Sequence, residues 1–261
     1  KDLNIVNLNE TKSIVVLSTE NSPYADSQTI KVLLAVINHP ERSGKPFHVV
    51  AQMRQQKNIL AGKIVGKDEV ELMLTDDLIS RIMVQTCRQS GLSIVYSEIT
   101  GFDGDEIYIR EETELTGKTF GEIIFRYNDS SVIGLQYPDG TVKLNPSMDT
   151  VLEQGSKLVA ITEDDDTLII NAPAAKINED GIVFVEEEKL SVERILILSW
   201  NNKGPAILRE MSSYVLAGSK LLIVSAHENI DEEYKKMTIS SNLKIDFRIA
   251  DTTDREVLES L

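Results

Sequence analysis

The sequence predicts an α/β protein: a Rossmann-like lobe with a parallel sheet, a small α+β lobe after it, and the opening of a second Rossmann-like lobe. Three observations carry this. Short β-branched runs alternate with amphipathic helical stretches over the first hundred residues, short alternating runs replace that rhythm after Gly101, and the strand–helix rhythm returns at Arg194. A chain of 261 residues with 41% hydrophobic and 26% charged residues has room for two or three such units and the composition to fold them.

The first run, Ser-Ile-Val-Val-Leu at 13–17, is apolar on both faces and predicts a central, buried strand. Ile30, Leu33, Leu34 and Ile37 follow at the spacing of one helix face, and His39-Pro40 ends that helix. A second strand is expected at 47–53, a short helix through Ile59, Leu60 and Ile64, and a third strand at 70–74. Strand and helix in alternation imply right-handed crossovers and a parallel sheet. A longer helix starts near Thr75, with Asp76 and Asp77 favourable in its first turn and Leu78, Ile79, Ile82, Met83 and Thr86 along one side. After Gly91 a second helix, 92–99, leaves the lobe.

Past Gly101 the expected strands are 106–110, 132–136 and 157–162, with a turn at Pro138-Asp139-Gly140. Residues 171–192 turn Pro/Ala-containing and then acidic at Glu186-Glu187-Glu188, a linker with one strand at 181–185. The second lobe opens with a strand at 195–198, a helix through Ile207, Leu208, Met211 and Val215, strands at 220–224 and 243–249, and a helix from Thr253. The resulting division is 1–100 for the first lobe with its crossover helices, 101–172 for the small lobe, 173–193 for the linker and 194–261 for the second lobe. The first lobe is expected to lack its opening strands and the last its closing ones, so the chain reads as a fragment of a longer tandem protein.

Charge and composition narrow the function. A formal net charge of −15 repels phosphate backbones and anionic lipid surfaces, which disfavours nucleic-acid binding. The single cysteine, Cys87, fits a reducing compartment and sits where a small packing residue belongs on its helix, inert rather than reactive. No run approaches the roughly 18 apolar residues that cross a bilayer, so membrane attachment is expected to lie outside the chain.

Several motifs resolve into structural readings. No Gly-x-Gly occurs, and the second-lobe turn reads Ser199-Trp200-Asn201-Asn202-Lys203-Gly204-Pro205, so NAD or another nucleotide is not expected here. Glu228 lies where a ribose-binding carboxylate would, and reads as a solvated surface group. Gly117-Lys118-Thr119 imitates the end of a phosphate loop, but Glu112 occupies the place of its first glycine; Thr119 with Glu122 is instead a capping box. His39, His48 and His227 fall in unrelated segments and form no catalytic triad, so no enzyme is expected. Clustered carboxylates are the hard-cation ligands: Glu163-Asp164-Asp165-Asp166 follows a strand, and Asp103, Asp105 and Glu106 make a second group. Neither has helix-loop-helix calcium spacing, and a solvated acidic loop competes with both.

Taken in order, the segments 13–18, 25–27, 47–53, 77–85, 89–92, 101–102, 115–120, 144–146, 152–158 and 163–167 resemble the cytoplasmic region of the Castor/Pollux ion channels, in a bacterial-like form. The lobes of that region are of the regulator-of-potassium-conductance type, Trk-N-like and Trk-C-like. The resemblance implies a tetrameric channel whose subunits each carry two such units, packed with other copies of the chain into a gating ring beneath a transmembrane pore segment absent from this chain. It implies that the helices of 75–99 form a crossover and a flexible interface between lobes. It also implies calcium regulation, with Glu122, Asp164 and Asp165 as candidate ligands. Carboxylates are expected after Met53 in the plant proteins, where this chain has Arg54, Gln55, Gln56 and Lys57. The alternatives are a nucleotide-binding accessory subunit of a potassium uptake system and a Rossmann-fold dehydrogenase or epimerase, which nucleotide titration and a turnover assay would separate.

Overall fold

The structure, a computed structural model, describes residues 2–19, 22–171, 181, 183, 191–235, 237 and 239–261. Two compact units form: Lys1–Arg88 with Lys189–Leu261, and Gln89–Glu188. The expected strand at 181–185 and the acidic run at 186–188 lie almost wholly outside the described residues.

In the first unit, β1 (Ile14–Val16), α1 (Ala25–Ile37), β2 (Val49–Met53), α2 (Gln56–Gly66) and β3 (Val70–Leu74) alternate, and the strands form a parallel sheet in the order β1-β2-β3. The core beneath it joins Val16, Val49 and Ala51 to Leu33, Val36 and Ile37 of α1. The run at 13–17 was expected to be central; β1 instead lies at the sheet edge, pairing with β2 alone among the described strands. Val15 and Leu17 are 65% and 76% exposed.

Two helix faces also differ from expectation. On α2, Leu60 and Ile64 are exposed while Gly62 and Gly66 are buried. A Cβ at Gly62 would stand 2.7 Å from Leu72 and one at Gly66 2.4 Å from Val70, so the helix lies on β3 by its glycines. On α3 (Thr75–Arg88), Ser80 and Val84 are the buried positions, and Leu78, Ile79 and Met83 are exposed. The stripe drawn through the larger side chains misses the buried line, because α3 packs closely on another helix, and small residues permit that approach. Cys87, expected to pack, is exposed.

That helix partner is α6 (Gly204–Tyr214) in the same unit. With β8 (Arg194–Leu198), β9 (Ser219–Ser225), α7 (Ile230–Lys235), β10 (Leu243–Ile249) and α8 (Arg255–Glu259), α6 belongs to a second parallel sheet ordered β10-β9-β8. Val84 joins Leu208, Met211, Val215, Leu221 and Ile223 in one buried cluster, so α3 is part of the second lobe's core.

The unit Gln89–Glu188 contains α4 (Leu92–Thr100), the helix read as leaving the first lobe, and an antiparallel sheet of β4 (Glu106–Arg110), β5 (Ser131–Gln136), β6 (Val142–Leu144) and β7 (Lys157–Thr162) in the order β4-β7-β5-β6. Its core gathers Leu115, Phe120, Ile123, Leu135, Leu152, Leu158 and Leu168. The short helix α5 (Phe120–Ile123) supplies Phe120 and Ile123 to that core. The expected turn is present: Gly140 has φ 83°, and Tyr137 N–H donates to the Thr141 carbonyl at 2.8 Å.

Candidate functional site

The acidic turn after β7 is the carboxylate cluster of the described residues. Carboxylate oxygens of Asp164, Asp165 and Asp166 all lie within 4.8 Å of one another, and all three residues are exposed. The turn is held locally: Asp165 N–H donates to Asp164 Oδ1 at 2.7 Å, and the Thr167 hydroxyl donates to the Asp164 carbonyl at 2.7 Å. Neighbouring β4 adds two side chains from one of its faces. Tyr108 OH donates to Glu106 Oε2 at 2.7 Å and approaches Asp164 Oδ1 at 3.4 Å, and Arg110 Nη1 donates to the Asp165 carbonyl at 3.1 Å. Tyr108 ionisation is pushed up, first by its bond to Glu106.

Arg110 has a second partner. Its Nε lies 2.8 Å from Glu112 Oε1, an ion pair without hydrogen-bond geometry. Burial pushes the Glu112 carboxyl up from its ordinary range, against the pull of Arg110.

Of the three residues expected to hold calcium, the structure brings Asp164 and Asp165 together and adds Asp166; Glu122 is not in that group. Glu122 completes the capping box of α5. Its Oε2 accepts from Thr119 N–H at 2.9 Å, and its own N–H donates to Thr119 Oγ1 at 3.3 Å. Those bonds to Thr119, with Lys118 nearby, hold its carboxyl below the usual range. Glu122 therefore serves the α5 cap apart from the Asp164–Asp166 turn, where three carboxylates gather. Asp103, Asp105 and Glu106 form no such group among the described residues.

At the β8–α6 turn the indole of Trp200 lies on Gly204: a Cβ there would stand 2.6 Å from the ring. The close backbone approach that a glycine offers a pyrophosphate is taken by this ring. Glu228 is exposed beyond β9.

One carboxylate had no recognisable signature in the sequence. Asp26, in the first turn of α1, is 5% exposed and accepts from Arg54 N–H at 2.9 Å, Gln55 N–H at 3.0 Å and Asn58 Nδ2 at 2.7 Å. It therefore caps α2 from another helix and fixes the segment Arg54–Lys57 at the carboxyl end of β2.

The family described as "Castor and Pollux, part of voltage-gated ion channel" matches residues 76–178. The probable ion channel POLLUX of Oryza sativa subsp. japonica is 28% identical over 270 residues, covering all of this chain and 28% of that protein. The probable ion channel CASTOR of the same organism is 30% identical over 237 residues, covering 90% and 26%. The ion channel DMI1 of Medicago truncatula is 27% identical over 269 residues, covering 100% and 30%. The chain thus spans between a quarter and a third of the length of these relatives. Among solved structures, the GsuK RCK domain aligns over 97% of this chain and 47% of its own, with 16% identity and a TM-score of 0.37. The family match at 76–178 and the channel relatives aligned across its length make this chain similar to a region of the Castor and Pollux channels.

Proposed function

We propose that the chain is the cytoplasmic, ligand-sensing part of a cation channel, which biases a pore formed by other segments and makes or breaks no bond itself. The observation that carries this is the alignment of the entire chain with proteins named as ion channels, of which it is a minor share. No helix among the described residues is long and apolar enough to cross a membrane, which is consistent with the pore lying elsewhere in such a protein. Paired parallel-sheet lobes with a shared helix core suit a part that shifts between arrangements.

The mechanism is a population shift. A ligand that prefers one arrangement of the lobes moves the equilibrium by its differential affinity, about 1.4 kcal/mol for each tenfold preference. Copies of the chain assembled around one pore would add these increments. Calcium at the Asp164–Asp166 turn is the proposed effector, because that turn gathers three carboxylates beside strand β4.

The test is recording from excised patches of the full-length protein with calcium varied on the face that bathes this region. Open probability should follow calcium at unchanged unitary conductance, and Asp164→Asn with Asp165→Asn should flatten the response. A response that survives both substitutions removes calcium from this turn. A protein that passes no current, yet turns over a substrate, removes the channel reading altogether.

A further inference from the structure

We propose a second ligand site, for a small oligophosphate anion, in the cleft between the carboxyl ends of β2 and β3 and the start of α6. The cleft, about 850 Å³, lies within one compact unit. That volume falls in the range of small-molecule sites, and the region outside the carboxyl ends of parallel strands is where open α/β sheets receive ligands.

Its charge is what selects an anion. Five cationic side chains border the cleft or its rim: Arg54, Lys57, Arg81, Lys203 and Arg209. The lining carboxylates are already matched. Asp77 Oδ2 takes Arg81 Nε at 2.7 Å, and Asp76 Oδ1 lies 3.5 Å from Lys203 Nζ. The charged groups of Arg54, Lys57 and Arg209 have no partner among the described residues, although the chain carries 42 acidic side chains against 27 basic ones. In so acidic a protein an arginine is readily paired, and three cations left facing one concave surface constitute an uncompensated positive site. Two are guanidinium groups, whose planar forks match phosphate oxygens bidentately. Asp26 holds the segment that carries Arg54 and Lys57, so these cations are presented from a fixed backbone.

The glycine turn of the second lobe plays no part. Trp200 covers that turn, and the cleft lies on the other side of the α6 start, against Asn202, Pro205 and Ala206. The ligand is recognised by its charge and phosphate geometry, which inorganic pyrophosphate and a nucleoside diphosphate share.

Calorimetric titration of the 261-residue chain with sodium pyrophosphate, and separately with ADP, at matched chloride and without added metal, tests the site. Saturable binding at one equivalent is expected. Arg209→Glu, an exposed position, should weaken it at least tenfold with an unchanged far-ultraviolet spectrum, and Arg54→Ala should act in the same direction. Lys244→Ala, an exposed charge on β10, should leave binding unchanged. Pyrophosphate binding as tightly as ADP assigns an inorganic ligand, and tighter ADP binding assigns a nucleotide; both support the site. Absence of saturable binding by either compound overturns it, as does equal weakening by Arg209→Glu and Lys244→Ala. Neither result bears on calcium-dependent gating, which the patch recordings read separately.

Discussion

Asp26→Ala removes the acceptor of three hydrogen bonds from a position 5% exposed. Alanine fills none of that polar demand, leaving the amides of Arg54 and Gln55 and the side-chain amide of Asn58 to find water at the start of α2. Arg54 and Asn58 are only half-buried and Gln55 is exposed, so the lower end of the range for bonds to a charged acceptor applies. At about 1.5 kcal/mol each, the loss of three bonds is on the order of 4.5 kcal/mol. In a unit of this size each kcal/mol moves Tm by roughly 2 to 4 °C, so a fall of roughly 9 to 18 °C is expected. Asp26→Asn keeps one acceptor oxygen but turns an amide NH2 toward other donors, and should lose about half as much or more. The assay is urea unfolding followed by circular dichroism, with hydrogen exchange read at the Arg54 and Gln55 amides and Ser27→Ala, on the exposed side of the same turn, as the control. Equal urea midpoints for Asp26→Ala and Ser27→Ala, with those amides still protected, would refute the reasoning.

Three further outcomes follow from particular contacts. Glu112 has a folded-state pKa raised above its ordinary 4.5 by burial, so its contribution to stability is fully present below 4.5 and is lost as pH rises through the folded value; Glu112→Gln should flatten that segment of a plot of urea midpoint against pH. Gly204→Ala places a Cβ 2.6 Å from the Trp200 ring, so the indole must move, with a cost of about 1 to 3 kcal/mol and a red shift of the chain's single-tryptophan emission. Thr119→Ala removes the hydroxyl half of the capping box, leaving the backbone N–H at 119 to donate to Glu122, and should cost about 1 kcal/mol, seen as lost hydrogen-exchange protection at the Glu122 amide.

The limits of the sequence reading have physical causes. Strands β3, β4, β7 and β10 were legible with their ends because apolar runs bounded by turn residues are local signals. So was the capping box, whose two halves lie three residues apart. The buried faces of α2 and α3 were not, because periodicity follows large apolar residues. These helices bury Gly62, Gly66, Ser80 and Val84, and leave Leu60, Ile64 and Met83 outside. The position of β1 at an edge depends on which strands pair, which its own composition does not encode. At the acidic turn the carboxylates were legible as a run, whereas their supports came from a strand more than fifty residues earlier, Tyr108 and Arg110. Glu122 was drawn into the candidate ligand set by the family resemblance, while its local spacing already gave its structural role. Asp26 bonds residues 28 to 32 positions away, and nothing around it in the sequence marks it as a cap.

In the proposed role, this region sets how often a pore opens while leaving what passes through it unchanged. The most direct measurement is single-channel recording of the full-length protein carrying Val84→Ala, which trims a fully buried contact between α3 and the second lobe at a cost of about 2 kcal/mol. Open probability should change several-fold, in either direction, while unitary conductance and ion selectivity stay at the unsubstituted values. Altered conductance or selectivity with unchanged open probability would contradict it.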